Sequence, residues 1–164
     1  MPSPNSTQYQ FVVLKAEDAP AVLRFERDQL ESQNLDPIER ELLSWHSPWR
    51  QESLDHYLPL GWSFGLWSDS GELRAYFLAQ PLLFFRQMTQ SLWVEHMGFP
   101  AQKPELALSM MDLAYRLSRE KHLQKLLLPP SVPLDKMGPE VERLNPQMLK
   151  EGFVEIKTSK LEEL

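Results

Sequence analysis

The side chains able to exchange a proton or grip an anion fall into three short stretches. In the first, Glu95 and His96 are neighbours within Ser-Leu-Trp-Val-Glu-His-Met (residues 91–97), a short apolar run that favours a strand. Strand side chains alternate between faces. Glu95 should therefore share a side with Trp93 and Met97, and His96 with Leu92 and Val94, so that only one of the two faces a given cleft. A carboxylate acts as a base near neutrality only where its surroundings raise its pKa. Without that, Glu95 is a charge on a half-exposed strand. In the second stretch, Trp45, His46, Trp49, His56 and Tyr57 concentrate rings and imidazoles. They suit an aromatic-lined pocket or a partner surface, or else core tryptophans with surface histidines. The third is Gln-Lys-Pro-Glu-Leu-Ala (residues 102–107), at the start of a long helical pattern. A helix start has free N–H groups and the positive end of a dipole, so it receives anions. Lys103 can meet a phosphate there. Glu105 competes for the same N–H groups, or simply stabilises the helix's first turn.

The elements that must position these residues centre on residues 91–128. A turn-like segment, residues 98–103, follows the strand. Pro104 then sits where a first helical residue belongs. Leu106, Met110, Leu113 and Leu117 recur at helical steps, with Ala107, Met111 and Ala114 beside them. The helix is expected to end near His122, after about five turns. Leu126–Leu128 then reads as a buried strand stopped by Pro129 and Pro130. Strand, helix and strand make a right-handed βαβ unit, its strands parallel or splayed.

Ahead of this unit, residues 11–14 read as a strand. Asp18 is placed to cap a helix from Ala19 to about Ser32, with Val22, Leu23 and Leu30 inward and Arg24, Glu26, Arg27 and Asp28 solvated. Asp36 and Pro37 start a second helix that turns Ile38, Leu42 and Leu43 inward. A short helical piece over residues 51–58 closes at Pro59. Residues 62–67 alternate as a strand, and Asp-Ser-Gly (69–71) makes a hairpin turn. Residues 73–86 form a strand apolar on both faces, hence central. Pro81 should bulge, bend or end it. Residues 87–90 should turn into the βαβ unit. A proline-rich loop over residues 129–139 precedes a short helix, about 140–151, with Pro146 inside it. Gly152 suits its C-terminal end, and residues 154–158 alternate as a last strand. Residues 1–9 read as a flexible tail and 10–164 as one domain.

Composition narrows the function. The chain has 164 residues, 42% hydrophobic and 24% charged, as a globular domain with a real core has. A net charge of −6 argues against nonspecific nucleic-acid binding. The absence of cysteine excludes disulfides, thiolate metal sites and a cysteine nucleophile. No His-x-x-x-His or other metal spacing occurs, and neither does a P-loop or a nucleophile elbow. No apolar run approaches the roughly 18 residues of a membrane span, and the polar N-terminus is not a signal peptide, which predicts a cytoplasmic protein.

The order of elements and two segments resemble the GCN5-related N-acetyltransferase (GNAT) superfamily, over residues 10 to 160. In that family a loop of pattern (Gln/Arg)-x-x-Gly-x-(Gly/Ala) holds the coenzyme A pyrophosphate on its backbone N–H groups. Gln102 and Ala107 match its ends, while Glu105 replaces its middle glycine. Met-Leu-Lys-Glu-Gly-Phe (148–153) resembles the Tyr-x-x-x-Gly-Phe segment, with Met148 at the tyrosine that often protonates the leaving thiolate. The resemblance implies an α/β (α+β) fold. A mixed central sheet of six to seven strands carries helices on both faces, and its fourth and fifth strands splay apart. It implies transfer of an acetyl group from acetyl-CoA, the co-substrate, to an amine acceptor without a metal. Coenzyme A would lie along Met97, Gln102, Lys103, Glu105 and Ala107. The base would be Glu95 or His96. The helices bearing Trp45, His46 and Tyr57 would wall the acceptor site of a monomer or homodimer. The altered positions Glu105 and Met148 also fit a second expectation, a catalytically inactive GNAT-like domain that binds a ligand or a protein partner through its aromatic region.

Overall fold

The apolar strand Leu73–Phe85 is central, and over residues 75–79 both of its faces are covered. The computed structural model describes residues 9–85 and 89–158. Strand β1 (Tyr9–Val13) pairs antiparallel with β2 (Phe64–Ser68), β2 with β3 (Leu73–Phe85), and β3 with β4 (Thr89–Gly98). Strand β5 (Lys125–Leu128) joins β4 in parallel, and β7 (Val154–Lys157) lies antiparallel between β5 and the short β6 (Gln147–Met148). The result is one seven-stranded mixed sheet, ordered β1-β2-β3-β4-β5-β7-β6. The helices are α1 (Ala19–Glu31), α2 (Pro37–Trp45), α3 (Gln51–Tyr57) and α4 (Glu105–Glu120). Ala75, Phe77 and Ala79 of β3 pack into one apolar cluster with Met110, Met111 and Ala114 of α4. Tyr76 and Leu78, on the alternate side, pack into a second with Val22 and Phe25 of α1 and Leu54 and Tyr57 of α3. The expected mixed sheet with a helical layer on each face is the one observed.

Strands β4 and β5 part as the βαβ reading anticipates. Their ladder runs only through Ser91↔Lys125, Leu92↔Leu126 and Trp93↔Leu127. Strand β4 continues beside β3 as far as Tyr76↔Gly98. Residues 94–98 therefore have no strand on the β5 side among the described residues. Beyond the parting, β5 keeps its other neighbour, pairing Leu128 with Val154 of β7.

Several local expectations are corrected. Tyr9, placed in the tail, pairs with Ser68 in β1; the rest of the tail, residues 1–8, lies outside the described residues, as do residues 87 and 88 of the turn expected over 87–90, while Thr89 and Gln90 belong to β4. Asp18 does not cap α1. Its carboxylate accepts the Lys15 N–H at 2.8 Å and closes the single turn Ala16–Asp18 that precedes the helix. Asp36 does cap α2, accepting from the Ile38 N–H at 3.1 Å. Yet Ile38, Leu42 and Leu43 are exposed, at 68%, 47% and 50%. The cluster on that face of the sheet is already filled by α1 and α3, so the apolar side of α2 has no core to enter. Of the bulge, bend or end expected at Pro81, the end is not observed: Pro81 pairs with Leu92, and the register shifts soon after it, between Leu82 and Phe85. Pro81 sits past Phe64↔Phe77, where β2 has ended, so among the described residues β3 has a strand on one side only there and a missing N–H is tolerated.

The helix expected over residues 140–151 is a 3-10 stretch, Pro139–Leu144. Asn145 leaves it at φ +51°, a left-handed conformation that asparagine adopts more readily than most residues, and Pro146 beyond it has no N–H with which to continue a helix. Met148 then falls in β6. Gly152 closes a hairpin turn rather than a helix: its N–H meets the Leu149 carbonyl at 3.0 Å and the Leu149 N–H meets that of Phe153 at 2.8 Å. Its φ of +94° is the reason for glycine there.

Candidate active site

The site is built on an irregularity in β4. Leu78 of β3 faces His96, but the next residue, Ala79, faces Val94. Two steps on β4 against one on β3 make a β-bulge, with Glu95 as the extra residue. Simple alternation across this point fails. Val94 enters the α4-side cluster, while Glu95 and His96 both reach groups packed on the α1/α3 side. The expectation that only one of them faces that side is thus corrected.

Glu95 is held by two donors. The Trp93 indole N–H donates to its Oε2 at 2.8 Å, and the Tyr57 hydroxyl donates to the same atom at 3.2 Å. Burial first, then the negative charge of Glu95 and the hydrogen bond to it, push the Tyr57 phenol up to about 12. The phenol therefore stays a donor across the neutral range. Trp93 also meets Phe153 edge to face, with ring centroids 4.6 Å apart. That contact sets the β6–β7 hairpin turn against β4 beside the parting of the strands.

His96 has a different partner. Its Nε2 lies 3.0 Å from Glu26 Oε1, which also accepts the Tyr76 hydroxyl at 2.6 Å. Glu26, expected to be solvated, is only 8% exposed. Tyr76 is fully buried, and burial, then the charge of Glu26 and the hydrogen bond to it, hold its phenol well above the usual range. Gly98 makes the cluster possible. A Cβ there would collide with the edge of the Tyr76 ring and lie 2.7 Å from Glu26 Oε1. The sequence carried a signal for Glu26 that its charge obscured. Val22, Glu26 and Leu30 are spaced by four on the packed side of α1. Tyr76 and Trp93 carried none, since an aromatic residue in a strand reads as packing.

The third stretch forms the start of α4. Pro104 precedes the first helical residue, and Leu106 and Ala107 are buried. The N–H groups of Lys103, Leu106 and Ala107 bond back to the carbonyls of Pro100, Lys103 and Pro104 at 3.0–3.1 Å. The Gln102 and Glu105 N–H groups have no hydrogen bond among the described residues. The Glu105 side chain is exposed, and its carboxylate takes no hydrogen bond there either. Met97 is buried on β4 opposite Phe77, one residue before Gly98 and the loop.

The aromatic stretch divides. Tyr57 joins Glu95. Trp45 and His46 are exposed at the other end of the helical layer, and Trp49 is buried. His56 Nε2 lies 2.9 Å from Gln80 Oε1. Trp45 and Trp49 border a cleft between α1, α2 and the start of α3 that includes neither Tyr57 nor Glu95. Met148 is 65% exposed and supplies no acidic proton. Among the described residues no group of side chains is arranged to hold a metal, and no helix is long and apolar enough to cross a membrane.

No family model and no curated protein sequence matches the chain. Solved structures do. An acetyltransferase of the GNAT family from Listeria monocytogenes superposes with a TM-score of 0.63 at 12% identity, over 95% of this chain and 97% of that one. A GNAT family N-acetyltransferase from Escherichia coli, in complex with coenzyme A, gives 0.61 at 13% identity, over 97% and 86%. A polyamine N-acetyltransferase from Drosophila melanogaster, which forms N-acetylagmatine, gives 0.61 at 14% identity, over 87% and 85%.

Proposed function

We propose that this chain, whose fold is that of the GNAT N-acetyltransferases, transfers an acyl group from an acyl-coenzyme A, acetyl-CoA in the first instance, to an amine. The observation that supports this most is the bulged β4, which leaves β5 after Trp93↔Leu127 and turns Glu95 and His96 to one side just past the parting. The thioester would lie between the diverging strands. Its pyrophosphate would sit at the loop from Met97 to Ala107, on the free N–H groups of Gln102 and Glu105, with Lys103 beside it. Glu105 is the misfit in that cradle, and its exposed side chain leaves the N–H groups accessible. Neighbours solved with coenzyme A support the same donor.

In the transfer, the amine nitrogen attacks the thioester carbonyl carbon, and a C–N bond forms. Before this step the acceptor's ammonium gives a proton to Glu95 or His96, directly or through a water, because only the neutral amine carries a lone pair; after attack the nitrogen loses its second proton to solvent. The tetrahedral centre then collapses, the C–S bond breaks, and the thiolate takes its proton from solvent, because Met148 stands where an acid would be. Oriented donors account for the holding of Glu95: Trp93 and Tyr57 fix one carboxylate oxygen and leave the other free. Tyr57 would contribute to the acceptor side at the reacting amine, while Trp45 and His46 lie away from Glu95.

The exposed Met148 favours a second reading, a GNAT-like domain that binds a ligand or protein without turnover. Two measurements separate the readings. Acetyl-CoA at a hundred times its dissociation constant should add about 2.7 kcal/mol of thermal stability. Amine-dependent release of free thiol should follow, and should fall by about 100-fold in Glu95→Gln if that carboxylate is the base. Binding without thiol release across a panel of amines would select the second reading; no stabilisation at millimolar acetyl-CoA would remove the first.

A further inference from the structure

A cleft of about 680 Å³ opens between α1, α2 and the start of α3. Leu23, Leu30, Trp45 and Trp49 give it apolar and aromatic walls, and Arg27 of α1 and Arg40 of α2 border it. The Nε of Arg40 is buried without a hydrogen-bond partner. A buried donor in that state is unfavourable until an acceptor reaches it. Arg27 forms no ion pair among the described residues. Arg50, the third guanidinium at the cleft, is already committed, to Glu52 at 3.1 Å and to the Ser47 carbonyl at 3.1 Å. Glu31 and Glu41 also border the cleft but are exposed, where water and salt screen their charge. The inner charge is therefore the Arg40 guanidinium, whose Nε lacks a partner, set among indoles and leucines. Such a surround recognises an anion by geometry and an apolar body by burial.

We propose that this cleft binds a carboxylate carried on an apolar, arylalkyl body, the carboxylate meeting Arg40 and the body lying against Trp45 and Trp49. The binding itself needs no transferase activity. One extension rests on the function proposed above. Helix α3 runs from Gln51 at the cleft to Tyr57 at Glu95, about 9 Å along its axis. An acceptor that spans this length would carry its carboxylate at one end and its reacting amine at the other.

The test is a titration of the whole protein with 4-phenylbutyrate and with its neutral analogue 4-phenylbutyramide, followed by tryptophan fluorescence and calorimetry. The acid should bind saturably and the amide about tenfold more weakly, a difference of about 1.4 kcal/mol. Arg40→Met should abolish the preference for the acid. Trp45→Ala, a change at an exposed residue with little risk to folding, should weaken the acid severalfold. Equal binding of acid and amide, an unchanged preference in Arg40→Met, or no saturable binding at millimolar acid would each overturn the proposal. A parallel titration with acetyl-CoA keeps the two readings apart. Acid binding without acetyl-CoA binding leaves the cleft standing and removes the transferase, and the reverse result does the opposite.

Discussion

His96 Nε2 and the Tyr76 hydroxyl converge on a single oxygen, Oε1 of Glu26, at 3.0 and 2.6 Å. An ionised carboxylate only accepts, so the imidazole proton belongs on Nε2, and Nδ1 is the nitrogen left free to take one. Glu26, from the first helix, thus orients a side chain on the fourth strand.

This fixes the first expectation. In Glu26→Gln the amide can offer a donor as well as an acceptor, and the imidazole loses its reason to keep the proton on Nε2. Nitrogen-detected NMR of His96 should show the Nε2–H tautomer dominant in the native protein and mixed in the variant. The buried tyrosine hydroxyl and imidazole would lose a charged acceptor, at a cost of about 1–3 kcal/mol in stability. A tautomer unchanged by the substitution would show that Glu26 does not orient the ring.

Tyr57 and Tyr76 govern the alkaline side. Both phenols are raised in the folded state, Tyr57 to about 12, each chiefly by burial. In the unfolded chain a tyrosine ionises near 10. Between these values the unfolded chain has released the proton that the folded one still holds. Stability is therefore full below pH 10 and falls as pH rises through the window from about 10 to 12. Denaturant unfolding across that window checks the sign. Tyrosinate absorbance should further show Tyr57 titrating earlier in Glu95→Gln yet still above its ordinary value, since burial outranks the carboxylate among the causes.

Gly98 offers a packing test unconnected with glycine's φ. A methyl group there collides with the Tyr76 ring and crowds Glu26 Oε1. Gly98→Ala should destabilise the fold by about 1–3 kcal/mol through overpacking. It should also disturb the His96 resonances, because the carboxylate that holds the ring must move. Wild-type stability in this variant would mean that the cluster is looser than its distances imply.

The fold was legible where periodicity and caps agree. The spacing from Leu106 to Leu117 and the Leu126–Leu128 run marked α4 and β5, and the two-sided apolarity of residues 73–86 marked a central strand. The site was legible only as a place. A bulge leaves no trace in residue type, so strict alternation put Glu95 and His96 on opposite sides. Glu26 was read as solvated because charge outweighs periodicity in a sequence, whereas in the fold two donors satisfy that charge. Ile38, Leu42 and Leu43 were read as core because apolar spacing shows which side of a helix is hydrophobic, not whether anything covers it. The C-terminal helix failed between Asn145, which takes a left-handed turn, and Pro146, which has no N–H to offer a helix.

The substitution of Glu105 tests the donor cradle directly. Its exposed carboxylate stands at the first helical position of α4, where it interacts favourably with the dipole and repels an incoming phosphate. Each effect is worth about 0.3–1 kcal/mol, so removal of the charge should tighten coenzyme A about two- to fivefold. Glu105→Gln isolates the charge and should show most of that gain. Glu105→Gly also frees the backbone, at up to about 1 kcal/mol of helix stability, so it should bind more tightly while melting lower. Calorimetric titration of the three proteins with coenzyme A at low salt reads both effects. A complex weakened in both variants would mean that Glu105 contributes to donor binding, for example as a partner of the adenine or pantetheine portions, and that the anion cradle lies elsewhere.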